Sequence, residues 1–183
     1  MGPKKKQGEI TKERTAGKMS STIETLIADL GNDDDMVRVK ARQSLVAIGK
    51  NAIPSLAEAL GSKKYLMRWE AAKALTEIGD PETAPALVQA LEDEEFDVRW
   101  IAGEGLIKMN ISGLKALLQT LQERADSSFL REGAHHVLDD LAKGGLREPL
   151  APLLGALEGM APAEEIPLIA HNALEILDTK KKV

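Results

Sequence analysis

Apolar residues recur along most of this chain at helical spacing. In the stretch 67–79, MRWEAAKALTEIG, they fall at Met67, Ala71, Ala74, Leu75 and Ile78, which line one stripe of an α-helix. A half-buried strand would alternate apolar and polar residues, and this stretch does not. The pattern returns at 37–49 (VRVKARQSLVAIG), 98–110 (VRWIAGEGLIKMN) and 130–142 (LREGAHHVLDDLA), with a weaker copy, IPLIAHNALEIL, at 166–177. Ahead of each copy lies a shorter apolar helix. Its last leucine is Leu30, Leu60, Leu91, Leu121 or Leu157, at intervals of 30, 31, 30 and 36 residues. The preceding leucines, Leu26, Leu56, Leu87, Leu117 and Leu153, keep the same register. A period of this length, built from two amphipathic helices, marks a repeat array in which no hairpin can bury its apolar face alone. The expected fold is all-α: an α-α superhelix, or α-solenoid, of about five helical hairpins within 20–179, with repeats at about 22–50, 51–80, 81–110, 111–145 and 146–179.

Capping and breaking residues punctuate the pattern. Ser21 and Glu24 have capping-box spacing, so the first helix is expected to begin there. Asn32-Asp33-Asp34-Asp35 places a cap and negative charge where the second helix starts. Pro54 suits a first helical turn, and Pro85, about a turn further in, predicts a bend or a delayed start. Gly103 and Gly105 stand where the second repeat has Ala72 and Ala74, which predicts close approach of helix backbones. Gly144-Gly145 ends the fourth repeat, and the fifth is expected to be irregular because it caps the stack.

Composition narrows the function classes. The net charge of −5 hides an asymmetry: residues 1–19 hold six basic and two acidic side chains, and Lys180, Lys181 and Lys182 add three positive charges, which leaves −12 on the repeats. An acidic body repels phosphate backbones, so the repeats are not expected to bind nucleic acid and are expected to favour a basic partner. Residues 1–19 read as a disordered basic tail and 180–183 as a basic C-terminal tail. There is no cysteine, hence no disulfide and no thiolate metal site, and no apolar run long enough for a membrane span. A cytoplasmic location is expected.

The repeat resembles the HEAT-like repeats of the phycobilisome-lyase type. That pattern has an acidic turn, then Val-Arg, small residues and Ile-Gly. Here Val37-Arg38, Met67-Arg68, Val98-Arg99 and Leu130-Arg131 carry the Val-Arg step, and Ala71-Ala72, Ala74-Leu75 and Ile78-Gly79 the remainder. In the fifth repeat Pro167 replaces the arginine. The resemblance implies that Arg38, Arg68, Arg99 and Arg131 are structural, each pairing with an acid of an interhelical turn and tying neighbouring repeats. Asp33, Glu94 and Asp126 stand five residues before their arginines, with Lys63 the exception.

The resemblance also implies that the position after each arginine faces the concave surface of the second helices. Its occupants are Val39, Trp69, Trp100, Glu132 and Leu168. Trp69 and Trp100 are then neighbours, roughly 10 Å apart, and are expected either to anchor a partner on an apolar patch or to lie flat over the inter-repeat seams as part of the core. Glu70, Lys73, Glu104 and His136, with Lys40 and Gln43, make the surrounding groove polar. His135, His136, Asp139 and Asp140 offer only i,i+4 pairs, short of the three or four ligands a metal needs, although His171 shares the repeat position of His135. Intrahelical hydrogen bonding accounts for that run more simply. No catalytic, cofactor-binding or metal-binding set is identified. Among catalytic relatives, the deoxyhypusine hydroxylases need a His-Glu dipeptide that is absent here, where Trp69-Glu70 stands, and the HEAT-like DNA glycosylases need a basic concave face. The expected function is a non-catalytic protein-binding scaffold for a protein or peptide; the alternative is a bilin lyase-like or other enzyme-associated subunit.

Overall fold

The computed structural model describes residues 19–159 and 163–180, and among these every regular element is helical. The helices are α1 (19–29), α2 (Asp35–Ile48), α3 (Ile53–Ala59), α4 (Tyr65–Ile78), α5 (Ala84–Ala90), α6 (Phe96–Lys108), α7 (Ile111–Glu123), α8 (Ser128–Leu141), α9 (Arg147–Glu158) and α10 (Ile166–Lys180). They form an α-solenoid. The repeat leucines fill its centre, with Leu30, Leu56, Leu87, Leu91, Leu117 and Leu121 fully buried. Small residues let the layers close: Ala71, Ala72, Ala74 and Ala102 have no exposed surface.

The second helices form one continuous layer, α2 on α4, α4 on α6 and α6 on α8, while α5 packs on α7 in the other. Gly105 makes room for side chains and not for the neighbouring backbone that was expected: a Cβ there would lie 2.5 Å from Thr76 Oγ1 and 2.8 Å from Leu87 Cδ1. Pro85 delays its helix: Pro81–Thr83 form a short 3₁₀ turn and α5 begins only at Ala84.

The fifth hairpin leaves this register. Up to α8 the second helices stack on one another and α5 stacks on α7, but here α9 packs on α8 and α10 packs on α7. The chain leaves α8 through a π-type turn, Ala142–Leu146, with Gly145 at φ 110°. Only glycine adopts that conformation without strain, and it turns α9 back along α8. The helices α7, α8, α9 and α10 therefore close a ring at the end of the solenoid.

Two expectations on boundaries change. Ser21 lies inside α1 and does not cap it, because residues 19 and 20 are already helical. The expected tails, 1–19 and 180–183, lie outside the described residues except for Met19 and Lys180, which are helical.

Candidate partner-binding face

The turn ahead of each second helix is held by an arginine. Arg38 Nη1 donates to the carbonyls of Asn32 (2.8 Å) and Asp33 (3.0 Å), Arg99 Nη1 to those of Asp93 (2.8 Å) and Glu94 (3.1 Å), and Arg131 Nη1 to those of Ala125 (2.7 Å) and Asp126 (2.9 Å). Arg68 Nη1 reaches the Ser62 carbonyl at 3.0 Å. These carbonyls lie in the turn after a first helix, where they lack helical donors, so a guanidinium fork is a natural cap. The acid five residues upstream thus contributes its backbone oxygen to its own arginine. Arg68 alone of the four also binds the carboxylates of the next repeat's turn, Asp93 at 2.7 and 3.1 Å and Glu94 at 2.9 Å. The hydrogen bond to Asp93 holds its pKa above the ordinary arginine value.

Glu70 differs from the expectation of a groove residue. It is 0% exposed and accepts from Arg42 Nε at 2.7 Å, with Arg38 Nε and Lys73 Nζ each 3.9 Å away. Arg42 also pairs with Glu77, so it clamps α2 onto α4. A carboxylate buried among three cations cannot form a rim for a partner. The position two after the arginine is not uniform: Glu70 is buried against α2, whereas Lys40 is exposed and Ile101 and Gly133 are half-buried.

The two tryptophans sit in different settings. Trp69 is half-buried against the core, and the Lys73 ammonium covers its ring at 3.9 Å from the centroid. Trp100 is 47% exposed, with Phe96 at 6.0 Å and the His136 ring stacked on it at 4.5 Å. Among the described residues no ring contact joins Trp69 to Trp100. Val39 is half-buried, while Glu104 and Glu132 are exposed. His136 Nε2 lies 3.1 Å from Glu104 Oε1, which locks α8 to α6 beside Trp100. A Cβ on Gly103 would lie 3.1 Å from the His136 ring, so glycine leaves the space the imidazole uses.

Two further residues complete the surface. Phe96 is 58% and Phe129 42% exposed, and the Arg99 guanidinium lies 5.7 Å from the first ring and 4.5 Å from the second. Three of the chain's five Phe, Trp and Tyr side chains thus gather at the start of α6 and α8. That scarcity was the available signal, but periodicity hid it because Phe96 and Phe129 occupy different repeat positions. Between the helices opens a cleft of about 160 Å³ lined by Leu91, Phe96, Arg99, Trp100, Glu132, Gly133 and His136.

The remaining histidines do not converge. His135 faces Glu158 of α9 at 3.2 Å and His171 faces Gln122 of α7 at 3.2 Å, a consequence of the exchanged fifth hairpin. The His-His-x-x-Asp-Asp run is therefore held mainly by contacts between helices and not within one; only Asp139 follows the i,i+4 pattern, and it pairs with Lys143 at 2.6 Å. Among the described residues no helix is long and apolar enough to cross a membrane.

A family model agrees with this architecture. The family model described as HEAT repeats matches residues 23–107 and 53–139. No curated protein matches. Among solved structures, the crystal structure of an engineered protein aligns at 20% identity over 86% of this chain and 79% of that one, with a TM-score of 0.40.

Proposed function

Starting from the fact that the chain belongs to the HEAT-repeat family, we propose that it is a non-catalytic scaffold that holds a protein or peptide partner on the face of α6 and α8. The observation that carries this reading is the exposed cluster of Phe96, Trp100 and Phe129 beside the exposed carboxylates of Asp97, Glu104 and Glu132. Large exposed rings cost solvation in a protein that keeps so few aromatic residues, and a patch of this kind marks an interaction site. Tryptophan and arginine, both present here, are the side chains most enriched among binding hot spots. The site has shifted from the expected centre between the tryptophans to the seam between the third and fourth repeats. Trp100, Glu104, Glu132 and His136 remain in it, and Trp69 and Glu70 do not. The acidic repeats favour a partner with a basic surface over nucleic acid, and we place this role in the cytoplasm.

A photo-crosslinking residue at position 96, introduced in the source cells, tests the reading. A discrete product is expected, and it is expected to vanish when Trp100→Ala is added. The same residue at position 168, on exposed α10, is the control. Products that persist without Trp100, or that are shared with position 168, overturn the reading.

A further inference from the structure

We infer that the cleft between α6 and α8 receives a single arginine side chain of the partner, stacked on the open side of Trp100 and paired with Glu132. This rests on the scaffold reading above and adds the chemistry of its anchor. The cleft, about 160 Å³, is smaller than the roughly 300–1,000 Å³ of a cofactor or drug-sized site and matches one side chain. Its floor is Leu91 and Gly133: the glycine lacks the side chain that Glu70 and Ile101 carry at the matching repeat position, and a Cβ there would meet Leu91 at 3.0 Å.

The walls are aromatic and the rim is acidic. One side of Trp100 is occupied by the stacked His136 ring, and the indole is still 47% exposed. Carboxylates surround it: Glu132 lines the cleft, Asp97 and Glu104 lie one turn before and after Trp100 on α6, and all three are exposed. Asp97 also accepts from Tyr65 Oη at 3.0 Å and Glu104 is held by His136, so Glu132 is the acid best placed to receive an incoming cation. Arg99, the one permanent cation of the lining, is turned toward the Asp93 and Glu94 carbonyls and the Phe129 ring. Its guanidinium lies over a phenylalanine ring, 4.5 Å from the Phe129 centroid, and not over Trp100.

A planar guanidinium fits this combination better than an ammonium. It stacks on indole while its edge donates two hydrogen bonds to one carboxylate, whereas lysine brings a strongly hydrated point charge. An aliphatic side chain would fill the volume but leave Glu132 without a partner.

The chain's two tryptophans give two indole N–H signals in a nitrogen-15 correlation spectrum, which Trp69→Phe assigns. The probe is the peptide Gly-Ser-Gly-Arg-Gly-Ser-Gly amide at millimolar concentration, compared with its Lys and Leu counterparts. The Arg peptide is expected to shift the Trp100 indole and the Gly133 amide and to leave the Trp69 indole in place. The Lys peptide is expected to bind about tenfold more weakly, and Glu132→Gln to weaken the Arg peptide by a similar factor. Glu132 is exposed, so this variant tests the pairing without disturbing the core. Equal or stronger shifts with the Leu peptide, or an Arg response indifferent to Glu132→Gln, overturn the inference. A Trp100-dependent crosslink in cells together with that result leaves the scaffold reading standing and removes only the arginine anchor.

Discussion

At the scale of single residues, the two tryptophans separate stability from recognition. Trp69 packs against the core beneath Lys73, so Trp69→Ala removes buried contacts and is expected to cost about 2 kcal/mol, toward the lower end for large aromatic truncations because the ring is only half-buried. Trp100→Ala is expected to cost less, about 1 kcal/mol, since nearly half of the side chain is exposed. Urea denaturation of the two variants measures the difference, and equal losses would contradict the assignment. Glu70 is a sharper case. Glu70→Ala leaves Arg42 and the buried Arg38 without their shared carboxylate, and breaking a buried pair from one side typically costs about 3 kcal/mol or more. Nothing in the sequence distinguished Glu70 from an exposed rim acid. Its neighbours Arg38 and Arg42 lie on another helix, and local periodicity does not report across helices.

At the scale of elements, junctions carry the strain. Asn110 joins α6 to α7 at φ 52°, ψ −120°, a conformation outside the regions that residues with a Cβ favour. Asn110→Gly is expected to stabilise the protein by about 1 kcal/mol, read as a raised urea midpoint. Three residues on, a Cβ at Gly113 would stand 2.2 Å from the Leu106 carbonyl oxygen, so Gly113→Ala must push α7 away from α6 and is expected to destabilise. The α4–α6 contact includes the protein's only tyrosine, Tyr65, whose pKa is raised first by burial and then by its hydrogen bond to Asp97. A raised folded pKa means that the neutral phenol is favoured by folding. The stability it contributes is present below the unfolded value near 10 and is lost as pH rises through the folded value. Tyr65→Phe is therefore expected to flatten part of the stability loss above pH about 10. Because the tyrosine is single, tyrosinate absorbance follows this group alone.

At the scale of the whole molecule, the solenoid ends by closing on itself. Regular stacking would put α10 on α8; instead α10 lies on α7, tied by the Lys115–Asp178 pair and by His171 on Gln122. The chain has no native cysteine, so introduced pairs report geometry cleanly. Lys115→Cys with Asp178→Cys is expected to join through a short bismaleimide linker. His135→Cys with His171→Cys, which regular stacking would bring together, is expected not to. The reverse outcome would restore the simple five-hairpin stack. The ring has an energetic consequence as well. Repeat arrays lose protection from their ends, because each terminal repeat has one neighbour instead of two. Here α7 and α8 each gain a partner from the last hairpin, so the seam that holds the candidate site lies inside the protected region.

What the sequence determined by itself was the periodic part of this protein. Helix identity, the two-helix repeat, the buried leucines and the delayed start of α5 all follow from local spacing, because burial in a solenoid recurs at every period and writes itself into the chain. A structural role for the arginines at 38, 68, 99 and 131 was implied by the family resemblance and not by spacing, and only Arg68 reaches the carboxylates of the next repeat's turn. The tertiary structure decided everything that happens once. The π-type turn at Ala142–Leu146 leads α9 onto α8, and α10 packs on α7 instead of α8. Glu70 became a buried clamp, and Phe96 and Phe129 joined Trp100 in one cluster, through contacts between helices about 30 residues apart in the chain. Such contacts depend on the crossing and rotation of particular helix pairs, and a repeat pattern averages those away.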